Sequence, residues 1–289
     1  MPKYQAFKQY EPSQAAAIIF AVLFGILLAA HTWQSARAKI YYLWALILAT
    51  ALECAGYILR EYTIHHRTEK TPSVIGQVFI IVAPVCLAAA LYMVVGRIMT
   101  QVGAGYSIIR PSWITPIFVG FDILSIGMQA LGAAMLFNTD DNLDKLKKAR
   151  SILTIGLMIQ IIAFAIFLVL TGWFDRRATK ASPRKMVTVR MLMIAFYITG
   201  ALIMIRSIYR AIEFITVDFN SRPPRGYFFN VEWAYYVLDA LPIAIATGVY
   251  NVIFPAKYLQ GDEEYPDTKN VEVPLSSFEG DRLKGGNHA

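Results

Sequence analysis

The 289 residues are 56% apolar and only 16% charged, and mean hydropathy is +0.47. A soluble domain carries about a quarter charged residues, so this composition excludes an ordinary water-soluble fold and points to an integral membrane protein. The formal charge of +7 is then a membrane-surface feature rather than a nucleic-acid footprint, and Cys54 and Cys86, each inside an apolar run, read as small packing residues rather than a disulfide framework.

Residues 1–13 are short and polar and are expected to lie outside the membrane. They lack the basic region and small-residue cleavage site of a signal peptide, so the first apolar run is expected to be kept as a spanning helix. The apolar runs cover 14–33, 41–59, 74–99, 112–137, 151–174, 189–214 and 231–254. Each holds about 19–26 residues, enough to cross a hydrocarbon core of roughly 30 Å. Trp33, Trp44, Trp113, Trp173 and Trp233 fall at or near run ends, where an amphipathic ring prefers to sit. The fold expected is all-α: an integral membrane bundle of seven transmembrane helices over 14–255, with short links and antiparallel neighbours. The polar tail over 256–289 is expected to be disordered.

Lysines and arginines divide almost evenly between the two sides. The densest basic loop lies between Asp175 and Arg190, with six cations and one acid. A basic loop suits the anionic cytoplasmic leaflet, which puts the N-terminus outside and the tail in the cytoplasm.

Several polar groups fall inside these runs. Arg206, Arg210 and Glu213 are spaced i, i+4, i+7, which puts all three on one helical face. Glu232, Tyr236 and Asp239 repeat that spacing in the last run, and Glu53, Tyr57 and Arg60 repeat it in the second. Gln77 opens the third run, and Pro84 is expected to kink it. Asp122 and Gln129 lie seven residues apart in the fourth run, and Gln160 lies in the fifth. Ionisable groups at such depth are costly unless paired or wet, so they form a functional-site hypothesis. By counted depth most of them share one half of the membrane. The expectation is a polar cavity open to one face; the alternative is an ion-pair network that only fixes helix packing.

The residues exclude the familiar intramembrane chemistries. His31 is the only histidine within a run, and no His-Glu-x-x-His occurs, so zinc hydrolysis lacks ligands and no metal site is expected. Paired histidines for haem are absent, as are a last-run lysine for a retinal Schiff base and a glycine-rich phosphate loop. No cofactor and no enzymatic activity are expected. A seven-helix lipid receptor or sensor remains the rival reading, although the third run ends in Gly96-Arg97-Ile98 rather than an acid-Arg-aromatic switch.

Several motifs resemble a known family. These are Glu53-x-x-Gly56-Tyr57-x-x-Arg60, Gln77 with Ala83-Pro84, and Asp122-x-x-Ser125-x-x-x-Gln129-x-x-Gly132. With them go Gly156-Leu157-x-x-Gln160 and Arg206-x-x-Tyr209-Arg210-x-x-Glu213, followed by Glu232, Tyr236 and Asp239. Together they look like the fungal RTA-like family of aminocholesterol-resistance, lipid-translocating exporter proteins. One departure is the 218–230 loop, which has Pro223, Pro224 and only Gly226 where the family usually has a glycine pair.

The resemblance implies seven helices, an outward N-terminus, a fungal surface membrane, and movement of sphingoid bases or toxic amphiphiles. The partners expected are membrane lipids and an amphipathic substrate. On that reading Glu53, Asp122, Glu232 and Asp239 compensate an amine head, while Arg206 and Arg210 hold Glu213 and the other acids. Tyr57 and Tyr236 hydrogen-bond the headgroup, and protonation of Asp122 couples movement to pH.

Overall fold

The computed structural model describes residues 12–39, 42–137, 143–217, 226 and 231–259, and among these every regular element is helical. Helix α1 spans Gln14–Ala38, α2 Trp44–His65, α3 Lys70–Val102, α4 Pro111–Phe137, α5 Leu143–Ala181 and α6 Pro183–Thr216. The last long run is one helical path in three parts: α7 (Glu232–Tyr235), a π turn (Tyr236–Ala240) and α8 (Leu241–Val252). A final turn, α9, covers Ala256–Leu259. Helices α1, α3, α4, α5 and α6 are long and apolar enough to cross a membrane. Helix α2 carries Glu53, Arg60 and Glu61, and the last run is broken by its π turn; neither stands among those five.

Local chemistry sets the helix ends. The Ser13 hydroxyl accepts from the Ala16 N–H and caps α1, which stops at Lys39 in the left-handed region with φ 52°. Helix α3 ends at Gly103, whose φ of 143° suits glycine alone. Pro183 follows Ser182 and starts α6. All five tryptophans are exposed, as rings at a lipid interface would be.

The helices outrun the apolar stretches. Helix α5 has 39 residues, because Lys, Ala, Leu and Arg on both polar flanks favour helix and no proline interrupts them. The tail does not begin as coil: Ala256–Leu259 is helical. The rest of it, 260–289, lies outside the described residues, as does the 218–230 loop apart from Gly226.

Two packing features fix how these helices meet. Helices α2 and α3 touch backbone to backbone, since a Cβ on Gly56 would lie 2.5 Å from Ile80 Cγ1 and 3.2 Å from the Gly76 carbonyl. The helices run antiparallel there, so Gly56 faces Ile80 while Gly76 faces Leu59 and Arg60, its Cβ position lying 3.0 Å from Leu59 Cβ and 3.7 Å from the Arg60 nitrogen. Between α3, α4, α5 and α6 the core is aromatic: Phe167 meets Tyr92, Phe118, Phe164 and Phe196 with ring centroids 4.5–6.0 Å apart.

Candidate functional site

The polar groups of α2, α6 and the last run converge in one buried cluster. Arg210 grips Asp239 with both arms, Nε to Oδ1 at 2.9 Å and Nη2 to Oδ2 at 2.7 Å, and its Nη1 donates to Glu213 at 3.1 Å. Two parallel charge-assisted bonds fix both direction and distance. Arg206 Nε also lies 2.9 Å from Asp239 Oδ1, a charge contact whose N–H is off the hydrogen-bond line. Arg60 Nη2 reaches Glu232 at 3.1 Å, and its Nε donates to the Tyr236 hydroxyl at 3.1 Å. The second Glu232 oxygen accepts from the Ser13 N–H at 2.8 Å, which ties in the start of α1.

Helix irregularities build this cluster. Pro84 has no N–H, so the Ile80 carbonyl four residues earlier loses its helical donor. Arg206 Nη2 supplies the replacement, donating to that carbonyl at 2.8 Å. On the last run, Pro242 stands just past the π turn, and the Leu241 N–H bonds back to Tyr236 across five residues. A π turn adds a residue to the helical repeat and is frequent at functional sites. Here it carries Asp239 onto the α6 arginines, while Glu232 ahead of it and Tyr236 at its first position face Arg60.

An aromatic wall closes one side. Tyr57 stacks on Phe24 with centroids 5.6 Å apart and on Phe20 at 5.5 Å, and Phe20 stacks on Tyr236 at 5.3 Å. The Arg60 guanidinium lies 4.5 Å above the Tyr235 ring, and Arg210 lies 5.4 Å from the same ring. Behind the wall Glu53 is 1% exposed, within electrostatic reach of Arg206, Asp239 and Arg210. Its Oε2 and the Tyr57 and Tyr235 hydroxyls have no hydrogen-bond partner among the described residues.

A second polar group is separate. Asp122 is fully buried on α4 and accepts one bond, from the Tyr92 hydroxyl at 3.0 Å. On the same helix Gln129 Nε2 donates to Ser125 at 3.0 Å and to Gln160 Oε1 on α5 at 3.1 Å, and Ser125 donates to the same Gln160 oxygen at 3.2 Å. That triad is interhelical glue.

The structure therefore brings together Glu53, Tyr57, Arg60, Arg206, Arg210, Glu213, Glu232, Tyr236 and Asp239. It keeps Asp122, Gln129 and Gln160 apart, between α3, α4 and α5. Gln77 is half-buried on α3 and makes no side-chain hydrogen bond among the described residues. Sequence reasoning missed Tyr92, Phe20, Phe24 and Tyr235, because an aromatic in an apolar run carries no signal of the polar atom it faces. It also missed the Ile80 carbonyl, although Pro84 four residues on could have marked it.

The family described as RTA1 like protein matches residues 46–262, most of the chain and the whole of this cluster except its α1 contacts. The chain belongs to that family. It is 30% identical to Protein RTA1 of Saccharomyces cerevisiae over 279 residues, covering 86% of this chain and 84% of that one. It is 29% identical to a lipid-translocating exporter-like protein RTA1 of Leptosphaeria maculans over 88% of this chain, and spans 51% of that protein's length. A sphingoid long-chain base transporter, RSB1 of Saccharomyces cerevisiae, is 23% identical over 92% of this chain and 75% of its own length. No solved structure matches.

Proposed function

We propose that the chain translocates amphipathic lipids bearing a cationic head, such as sphingoid bases or toxic amphiphiles, through a polar site within one leaflet. The observation that carries this reading is a charge imbalance. Among the described residues the cluster holds three guanidinium groups, Arg60, Arg206 and Arg210, against four carboxylates, Glu53, Glu213, Glu232 and Asp239. Buried charges must be matched, so one carboxylate calls for a proton or a ligand cation. Glu213, Glu232 and Asp239 already hold arginines. This narrows the amine-binding role expected of Glu232 and Asp239 to Glu53, beside the aromatic wall, while Asp122 stays as a separate carboxylate with Tyr92 as its partner.

The relatives' names support lipid as the cargo. On this reading α2 and the run from α7 to α8 span the membrane with the other five helices, making seven. The chain sits in the plasma membrane with its N-terminus outside and its C-terminus in the cytoplasm.

The test is full-length protein reconstituted in liposomes with a fluorescent sphingoid base. Wild type is expected to accelerate movement between leaflets, and Glu53→Gln to lose about tenfold or more, the cost of one unmatched charge contact. Movement no faster than in protein-free liposomes rejects the proposal, and binding without movement points to a lipid sensor instead.

A further inference from the structure

At the other end of α1 a second polar group faces α8, about 16 Å along α1 from Phe20 and about 12 Å along the last run from Asp239 at ~1.5 Å per residue. His31 is fully buried, and its Nε2 lies 3.1 Å from the Thr247 carbonyl. A carbonyl only accepts, so Nε2 carries the proton and Nδ1 is a bare acceptor. Gln34 Nε2 donates to the Asn251 carbonyl at 3.0 Å, and Asn251 Nδ2 donates to the Leu27 carbonyl at 3.4 Å. Each amide gives one of its two N–H groups to backbone, and Gln34 Oε1 and Asn251 Oδ1 remain open as acceptors.

His31 Nδ1, Gln34 Oε1, Asn251 Oδ1 and the buried Ser35 hydroxyl all lack a partner among the described residues. Helix glue matches donors to acceptors, as the Ser125–Gln129–Gln160 triad does. Here no side chain of the group bonds another among the described residues, and three of the four orphaned atoms can only accept. Leaving such atoms bare in a buried place is unfavourable, so the seam is built for a guest that brings N–H and O–H groups. Helix α1 is also the most lipid-facing of the five long apolar helices, with only 17% of its apolar stretch buried. A guest with an apolar tail can hold its head in this seam while the tail stays in lipid.

We propose that His31, Gln34, Ser35 and Asn251 form a second head-group site, at the opposite end of the α1 seam from the arginine cluster, which takes the hydrogen-bond-donating head of an amphipathic lipid. It rests on the translocation reading for the view that one lipid visits both sites. The two sites differ in chemistry: the first offers unmatched negative charge beside aromatic rings, the second neutral polar groups with three acceptors open.

The test uses full-length protein in liposomes and two photoreactive long-chain probes with a diazirine beside the head. One is an amino diol. The other is its N-trimethyl, di-O-methyl derivative, cationic but without a donor. Labelled peptides are mapped by mass spectrometry, and lipid movement is followed in parallel. The amino diol is expected to label peptides containing residues 31–35 and 247–251 as well as those of the arginine cluster. The donor-free probe should label the first set at least about tenfold less, while still labelling the cluster. His31→Phe should remove labelling at 31–35, and His31→Gln, which keeps a donor and an acceptor, should restore it. Should His31→Phe fail to fold, the two-probe comparison on wild type decides alone.

Equal labelling of 31–35 by both probes, or none by the amino diol, overturns the second site. If lipid still moves in that case, the translocation reading survives. Donor-dependent labelling without lipid movement supports the second site and overturns translocation.

Discussion

Arg206 on α6 completes a hydrogen bond that Pro84 on α3 takes away: its Nη2 donates to the Ile80 carbonyl at 2.8 Å. The same guanidinium touches Asp239 on the π turn. One arginine therefore bridges two helices, at the point where one lacks an N–H donor and the point where the other makes a π turn. This dictates a coupling that can be measured. Arg206→Leu strands the carbonyl, at a cost of about 1–3 kcal/mol. Pro84→Ala restores the missing N–H. In the Pro84→Ala background, Arg206→Leu should cost about 1 kcal/mol less than in wild type, read from unfolding in detergent as a double-mutant cycle. Additive costs would show that the bond does not stabilise the fold.

The Arg60–Glu232 pair joins α2 to the last run, and Ser13 completes it. Both side chains are largely buried, so removing one charge strands the other. Arg60→Leu is expected to destabilise by about 3–5 kcal/mol. Arg60→Leu with Glu232→Leu should recover most of that loss, since two apolar side chains leave no buried charge. A double variant as unstable as the single would mean that Arg60 acts through Tyr235 and Tyr236 rather than through Glu232.

Helices α4 and α5 approach closely at Gly132. A Cβ there would lie 2.7 Å from Leu153 Cγ and 2.9 Å from the Ala149 carbonyl. Gly132→Ala should cost about 1–3 kcal/mol through overpacking. Gly120→Ala on the same helix meets nothing within 4 Å and should be neutral or slightly stabilising. Thermal unfolding of the two variants side by side checks this.

Asp122→Asn keeps an oxygen to accept from Tyr92, so its stability should fall within about 1 kcal/mol of wild type. Lipid movement should nevertheless be abolished in reconstituted vesicles, because the amide cannot exchange charge. Normal flux in this variant would remove Asp122 from the mechanism and leave the Tyr92 contact as packing.

Much of this was legible in the residues. The i, i+4, i+7 spacing of Arg206, Arg210 and Glu213 put them on one face because α6 is a regular helix there. The same arithmetic worked less well for Glu232, Tyr236 and Asp239. The π turn shifts the register between Tyr236 and Asp239, so the first two face Arg60 and the third faces α6. Pro242 marks the place, but a proline alone does not distinguish a kink from a π turn. Asp122 was legible as a buried acid and illegible as a neighbour of Tyr92, since depth in a membrane fixes height along the normal and says nothing about which helices adjoin. Counting depth merged two groups that helix packing keeps apart.

Helix α5 has one more consequence. At ~1.5 Å per residue its 39 residues run about 58 Å, against a hydrocarbon slab of roughly 30 Å. The surplus emerges as rigid helix, and at one end it doubles back into α6 through Ser182 alone. Arg176, Arg177, Lys180, Arg184 and Lys185 are all exposed there. A 32.4 kDa membrane protein gives electron microscopy little to align on. This stiff basic hairpin is a natural grip for an antibody fragment, and it lies far enough from Arg206 and Arg210, about 30 Å along α6 at ~1.5 Å per residue, that holding it would leave the arginine cluster free to move.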